Sequence, residues 1–168
     1  MLPHMAKDKL LSNERNKPRF ILLLQKQFEK AQIITKQATE DVDVLIVQTA
    51  ISLSSEHDSV VVIGEDIDLL VLVTALAPEN VYFWKSGRGN KADALYSKKS
   101  FNYKDIAENI FFLHAIGGCD TTSAPVGEGK LKFCTILQKN ASHNESISIF
   151  KEPFAEKEKI TQATATFL

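Results

Sequence analysis

Two pairs of aspartates stand at the borders of apolar segments, and a fifth aspartate follows a third apolar segment. Asp41 and Asp43 lead into the run VLIV, Asp66 and Asp68 follow VVVI, and Asp120 comes soon after FFLHAI. Hard divalent cations such as Mg²⁺ and Mn²⁺ prefer oxygen ligands. Two such ions about 4 Å apart can activate a water and stabilise the leaving oxygen of a phosphodiester. We therefore expect the two aspartate pairs to form a site for divalent ions, with Asp120 as a third acidic point.

Charge is strongly segregated along the chain. Residues 37–84 carry nine acids and no Lys or Arg, although the formal net charge of all 168 residues is only −1. Acids this dense would repel one another, so something positive must compensate them. Residues 85–104 carry six bases against one acid. These bases lie near Trp84, Tyr96 and Tyr103 in the sequence. This basic segment suits phosphate contacts and base stacking, although a solvated hairpin is the other interpretation.

A Gly-rich segment between two apolar stretches carries the remaining candidates. Two of its glycines precede a predicted helix over 130–140, and exposed backbone N–H groups at a helix start suit a phosphate of a nucleic-acid backbone. Asp120 has a second interpretation, as a cap of the following turn. The candidate nucleic-acid contacts are Thr121, Thr122, Gly127, Gly129 and Lys130.

Apolar periodicity indicates the elements that must position these side chains. A strand over 59–64 has no polar alternation, which is typical of a strand covered on both faces. Thr39 is the predicted N-cap of the helix that precedes this strand in the chain. In the helix over 103–117, Phe111 and Phe112 are predicted core, and His114 is predicted to be packed and hydrogen-bonded. The further predictions are helices over 19–33, 39–54 and 69–77, a strand over 81–85 and a loop or hairpin over 86–97.

Alternating strands and helices predict an α/β fold with a mainly parallel sheet, in which ligands bind beyond the carboxyl ends of the strands. Asp66 and Asp68 occupy that location. No apolar run approaches the roughly 20 residues of a membrane span, and the first residues lack the apolar region of a secretory signal. We therefore expect an intracellular protein, with the nucleus as a candidate location, and no membrane partner.

The motifs TEDVDVLIV, GEDIDLLVL and FLHAIGGCDTTSA, followed by Gly-Glu-Gly-Lys, stand in this order over roughly residues 10–140. In this the chain resembles the flap-endonuclease-like (XPG-I) branch of the PIN-domain nucleases. It is most similar to a group from invertebrate genomes that is often associated with mobile elements. The resemblance implies a PIN-like three-layer sandwich with helices on both faces of the sheet. It also implies two Mg²⁺ or Mn²⁺ ions as cofactor and a DNA or RNA backbone as partner. The metal ligands and catalytic residues that it implies are Asp41, Asp43, Asp66, Asp68 and Asp120.

The same resemblance places a PIN/flap-endonuclease-like domain at 1–141 and a weakly structured or helical tail at 142–168. Nuclease members carry a further aspartate on a first strand, which is not recognisable before residue 39, so we expect that strand to be lacking and hydrolysis to be impaired. Pro125 and Glu128 would weaken phosphate contact. A catalytically inactive binding module with the same fold is the alternative. A dehalogenase-like phosphatase is another, but Leu70 stands where that motif has Thr or Val.

Overall fold

Helices and strands alternate from residue 42 to residue 85, and helices follow the sheet. The computed structural model describes residues 12–119, 122–125, 129–139 and 143–166. The strands are β1 (Val60–Ile63), β2 (Val81–Lys85) and β3 (Ala94–Tyr96), and a short 3₁₀ helix spans Lys98–Ser100. The helices are α1 (Asn16–Lys30), α2 (Val42–Ser54), α3 (Ile67–Leu76), α4 (Lys104–Glu108), α5 (Ile110–Ile116), α6 (Lys130–Lys139), α7 (His143–Lys151) and α8 (Lys157–Ala165).

The chain divides into two units, Met1–Glu40 and Asp41–Leu168. In the first unit the predicted helix is confirmed as α1, but it ends three residues early. The reason is a Schellman-type stop, in which Gln32 adopts a positive φ of 57°. The Gln32 N–H then donates to the Glu29 carbonyl at 3.0 Å, and the Ile33 N–H donates to the Phe28 carbonyl at 2.8 Å. These bonds satisfy carbonyls that the helix end would otherwise leave unpaired.

The second unit is built on a mixed three-stranded sheet in the order β1-β2-β3. β1 and β2 are parallel, which confirms the α/β class, whereas β2 and β3 are antiparallel. The prediction of a mainly parallel sheet is therefore wrong for these strands. The segment over 86–97 is confirmed as a hairpin, because its last residues form β3. A short hairpin connection brings the chain straight back and so forces antiparallel pairing.

The expectation that β1 is covered on both faces is also wrong. Val62 is buried at 6% exposure, but Val61 and Ile63 are 47% and 71% exposed. Successive side chains of a strand point to opposite faces. Helices α2 and α3 pack on β1 and β2 respectively, on the face that carries Val62. An unbroken apolar run therefore shows only that both faces of the strand carry apolar residues. In β1 only the face with Val62 is buried.

One hydrophobic core fixes the two helix starts that carry the aspartate pairs. Phe83 and Val81 of β2 are fully buried against Val47 of α2 and Leu69 of α3. At Gly64, which follows β1, an added Cβ would lie only 3.1 Å from Leu69 and 3.2 Å from Phe83. Gly64 therefore lets the chain turn tightly over this core before α3 begins. Both helix starts are consequently anchored by packing rather than carried on free loops.

A second core joins α5, α6 and α7 through Phe112, Phe133 and Ile147. The helix predicted over 103–117 is interrupted at Asn109, whose φ of −112° and ψ of 19° are not helical. The Asn109 side-chain amide donates to the Asp105 carbonyl at 3.0 Å, the kind of local bond with which Asn competes against helix. Phe111 is 42% exposed, so its predicted core position is wrong, because Phe112, Leu113 and Ile116 form the inner face of α5.

The residues after 142 contain α7 and α8, so the helical interpretation of this segment is the one observed. Ile147 of α7 is fully buried in the second core. Among the described residues, no helix combines the length and apolar character that crossing a membrane requires.

Candidate functional site

The first aspartate pair lies at the start of α2, where Asp41 is the N-cap. Its Oδ1 accepts from the Asp43 N–H at 2.8 Å and from the Val44 N–H at 3.2 Å. The prediction of Thr39 as the cap is therefore wrong. Asp41 has extended backbone angles and stands directly before the first helical residue, which is the position from which a side-chain oxygen reaches these N–H groups.

The second pair repeats this arrangement at the start of α3. Asp66 is extended, and its Oδ1 accepts from the Asp68 N–H at 3.0 Å. In both pairs the first aspartate caps the helix and the second lies within the first turn, where the positive end of the helix dipole favours a carboxylate. The two Asp-x-Asp segments are thus two copies of one local structure at the carboxyl side of the sheet.

The two pairs lie close enough for their charges to act on each other. The pKa of Asp43 is raised above its usual value, first by partial burial and then by repulsion from Asp41, Asp66 and Asp68. Helices α2 and α3 pack side by side, which brings their starts together. The structure therefore gathers four of the five predicted site aspartates into one negative region.

The acids of residues 37–84 divide into compensated and uncompensated groups. Glu65 forms an ion pair with Arg88, and Glu79 forms one with Lys99 at 2.7 Å. The contact with Lys99 lowers the pKa of Glu79. In the described part of the chain, by contrast, no Lys or Arg forms an ion pair with any of the four gathered aspartates. The basic segment 85–104 thus neutralises two glutamates and leaves the aspartates available.

His114 reaches the site and was missed as a functional residue, although it is packed and hydrogen-bonded as expected. Its side chain is 14% exposed, and its Nε2 lies 3.3 Å from Asp68 Oδ1. Its Nδ1 lies 3.3 Å from Lys130 Nζ. The signal in the sequence was a single polar residue within the apolar run FFLHAI, shortly before Asp120.

The candidates of the Gly-rich segment are only partly described. Asp120, Thr121 and Gly127 lie outside the described residues, so their predicted roles stay predictions. The Thr122 hydroxyl donates to the Ala115 carbonyl at 2.6 Å, which ties this segment to the end of α5. The turn itself requires glycine, because Gly118 has a φ of 83°.

Of the other two phosphate candidates, Gly129 faces open space, and Lys130 is exposed but extends its side chain to His114. No heavy atom would lie within 4 Å of a Cβ added to Gly129, so its backbone is approachable. Lys130 stands at the start of α6, and its ammonium group contacts His114. The imidazole ring of His114 therefore lies between the ammonium group of Lys130 and the carboxylate of Asp68.

The donor chemistry of this region fits a divalent cation. Hard oxygen ligands and an excess of negative charge are what Mg²⁺ and Mn²⁺ require. Asp41 and Asp66 each use only Oδ1 in their cap bonds, so Oδ2 stays outside those bonds. Within the residues that the structure describes, however, no three Asp, Glu, His or Cys side chains form a group able to hold a metal ion. The four described aspartates therefore act on one another electrostatically, but among the described residues they do not form a complete set of metal ligands.

A cavity of about 530 Å³ with cationic side chains lies beside the hairpin that follows β2. Lys85, Arg88 and Lys91 line it together with Glu65, the residue directly before Asp66. The loop of the hairpin is ordered by the Gly87 N–H, which donates to Asp93 Oδ1 at 2.8 Å. The Gly64 N–H donates to the Trp84 carbonyl at 3.1 Å and so joins the turn before Asp66 to the start of the hairpin.

Comparisons of the chain with protein-family models, with curated proteins and with solved structures gave no match. The resemblance to flap-endonuclease-like proteins accordingly stays a prediction that depends on the motifs and on the site geometry.

Proposed function

We propose that the unit from residue 41 onward is a flap-endonuclease-like PIN domain that hydrolyses phosphodiester bonds of nucleic acid with Mg²⁺ or Mn²⁺. One observation carries the proposal. Two copies of an Asp-x-Asp helix start converge, and no Lys or Arg of the described residues pairs with their four carboxylates. Like charges held close together are costly, and perturbed acids of this kind cluster at functional sites.

The proposed metal ligands are Asp41, Asp43, Asp66 and Asp68, with Asp120 as the fifth. Bound divalent ions would supply an activated water and stabilise the charge on the leaving oxygen. The protein itself holds Asp41 and Asp66 by their cap bonds and the helix starts by the core beneath them. The carboxylates of Asp41 and Asp66 are therefore held in place before an ion arrives, which reduces the cost of binding it.

The proposed partner is a DNA or RNA backbone. The cavity that Lys85, Arg88 and Lys91 line also includes Glu65, the residue directly before Asp66. Cationic side chains beside an acidic metal site would hold phosphates while the scissile bond lies over the ions. The open backbone at Gly129 offers a further phosphate contact. A three-layer PIN sandwich belongs to the same proposal.

A binding module without catalysis is the second candidate. It is favoured by the lack, among the described residues, of three side chains grouped to hold an ion. Calorimetry with Mn²⁺ distinguishes the two functions. The nuclease requires Mn²⁺ binding that Asp66→Asn weakens, whereas the binding module requires nucleic-acid binding that is indifferent to Mn²⁺.

Cleavage of labelled flap DNA, single-stranded DNA and single-stranded RNA with Mn²⁺ tests the proposal. The double variant Asp66→Asn with Asp68→Asn should lose cleavage, because both substitutions remove charge while Asn still caps a helix. Asp58→Asn is the matched control, since Asp58 is an exposed acid in the turn before β1, at the opposite end of that strand. Cleavage that survives the double variant, or a wild type that cuts none of the three substrates, would refute catalysis.

A further inference from the structure

Three side chains form a continuous polar line from α6 to the aspartates. Lys130 Nζ lies 3.3 Å from His114 Nδ1, and His114 Nε2 lies 3.3 Å from Asp68 Oδ1. The three residues come from the starts of α6 and α3 and from the last turn of α5. The imidazole is largely buried, so water competes little for its two nitrogens.

The donors and acceptors that these three groups offer determine which atom donates in each hydrogen bond of the line. A lysine ammonium has only donors, so Nδ1 of His114 must accept. The single ring proton then resides on Nε2, from which it is donated to the Asp68 carboxylate. Lys130 therefore selects the ring tautomer, and His114 transmits that selection to Asp68.

Gly117 makes the approach of Lys130 possible. A Cβ added at residue 117 would collide with Cγ of Lys130 and would lie 2.9 Å from the Leu113 carbonyl. The φ of Gly117 is −80°, which any residue adopts, so the reason for glycine here is space rather than backbone conformation. The stem of Lys130 passes over the end of α5 through this gap and delivers its ammonium to the histidine.

We propose that His114 and Lys130 are positioning residues that orient Asp68 as a metal ligand. This inference depends on the proposed function of Asp68 and assigns Lys130 a role inside the site, in place of the phosphate contact expected from its sequence position. Outer hydrogen-bond partners of this kind orient metal-binding carboxylates, and their loss typically lowers metal affinity about 10- to 100-fold.

For Lys130→Met, the proposal and simple electrostatics predict opposite changes in the affinity for Mn²⁺. Lys130→Met removes a positive charge close to the carboxylates, and by Coulomb attraction alone this should make Mn²⁺ bind more tightly. If Lys130 instead positions His114 and Asp68, the same substitution should weaken Mn²⁺ binding. A role of Lys130 in phosphate binding alone would leave Mn²⁺ affinity unchanged or increased.

The first measurement needs no metal. Nitrogen-15 NMR of the His114 ring in the full chain should show the proton on Nε2 in the wild type, and Lys130→Met should reduce that preference. Lys130→Arg should retain it, because arginine also only donates. A wild-type ring that carries its proton on Nδ1 would overturn the line of hydrogen bonds.

The second measurement is calorimetric titration of the full-length variants with Mn²⁺. Lys130→Met and His114→Phe should lower affinity about 10- to 100-fold, whereas His114→Gln, which keeps a donor toward Asp68, should restore most of it. Lys139→Met is the matched control, because Lys139 is exposed at the far end of α6 and should not change the affinity. Unchanged or increased affinity in Lys130→Met overturns the positioning role. A wild type that binds no Mn²⁺ but keeps the proton on Nε2 refutes the proposed function and the metal role of the line, while its hydrogen-bond geometry stands.

Discussion

Replacing Asp43 by Asn should change stability in opposite directions without and with Mn²⁺. The pKa of Asp43 is raised by partial burial and by the three neighbouring aspartates, so the folded protein disfavours its ionised form. A helix start favours a carboxylate at this position, but burial and the three like charges outweigh that effect. Without metal, Asn removes the unfavourable charge and should stabilise the fold. With metal, Asn removes a ligand and should reduce the stabilisation that Mn²⁺ provides.

The magnitude follows from the exposure of the group. Asp43 is only partly buried, so solvent screens the repulsion. Exposed charge pairs contribute about 0.2–1 kcal/mol, and the helix start offsets part of that, so we expect a gain of roughly 0.2–0.5 kcal/mol. For a unit of this size the gain corresponds to a rise in Tm of about 1–3 °C. Mn²⁺ at 100 times its Kd should add about 2.7 kcal/mol to the wild type and less to the variant.

The dependence on pH has a definite sign. An aspartate whose pKa is raised on folding imposes its cost above the raised pKa, and the cost disappears as the pH falls toward the unfolded value of 3.8. The stability gain of Asp43→Asn should therefore be full at neutral pH and shrink toward zero as the pH approaches 3.8. Comparing variant with wild type at each pH cancels the titration of most other groups.

Thermal unfolding followed by circular dichroism, at a series of pH values and with or without Mn²⁺, measures all three effects. Asp58→Asn is the control, because this exposed turn residue should show neither the gain without metal nor the loss with it. Two results would refute the reasoning. One is a lower Tm for Asp43→Asn without Mn²⁺, and the other is equal stabilisation of variant and wild type by Mn²⁺.

Three further tests address the elements that position the site. Asp41→Ala should cost about 1 kcal/mol in urea unfolding by removing the cap of α2, whereas Asp41→Asn should cost only a few tenths; equal losses would contradict the capping role. Phe133→Ala should cost about 3–5 kcal/mol because Phe133 is fully buried in the second core, and Phe111→Ala about 1 kcal/mol or less because Phe111 lies outside it, so a reversed order would contradict the packing of that core. Gly117→Ala should shift the His114 ring nitrogens in NMR by displacing Lys130, and an unchanged spectrum would contradict the gap.

Periodicity and turn residues predicted most of the elements in the second unit. The helix ending at Ser54, the strand within 59–64 and the helix stopping before Pro78 all occur as expected. These segments have strong apolar patterns whose ends are set by local chemistry, such as the Gly64 turn. Their tertiary role agrees with that local preference, so sequence alone was sufficient.

The errors arose where tertiary contacts decide between local alternatives. The break at Asn109 depends on a side-chain amide that also accepts from Lys151, 42 residues later, at 2.8 Å. The exposed face of β1 depends on which side of the sheet the helices cover, which an apolar run does not encode. The partner of His114 is likewise distant in sequence, because Asp68 lies on a different helix. A local pattern of apolar and polar residues does not identify contacts between residues that are distant in the sequence and are brought together only by tertiary packing.

Helix capping explains only half of the four gathered aspartates. Asp41 and Asp66 stabilise α2 and α3 through their cap bonds, so a structural reason suffices for them. Asp43 and Asp68 accept no such bond from a helix N–H in the described structure, and Asp43 incurs repulsion from the other three. A neutral residue at position 43 would spare the fold that repulsion, whereas Asp68 also accepts from the largely buried His114. Asp43 is therefore the stronger argument for a bound cation, and this position should be substituted first.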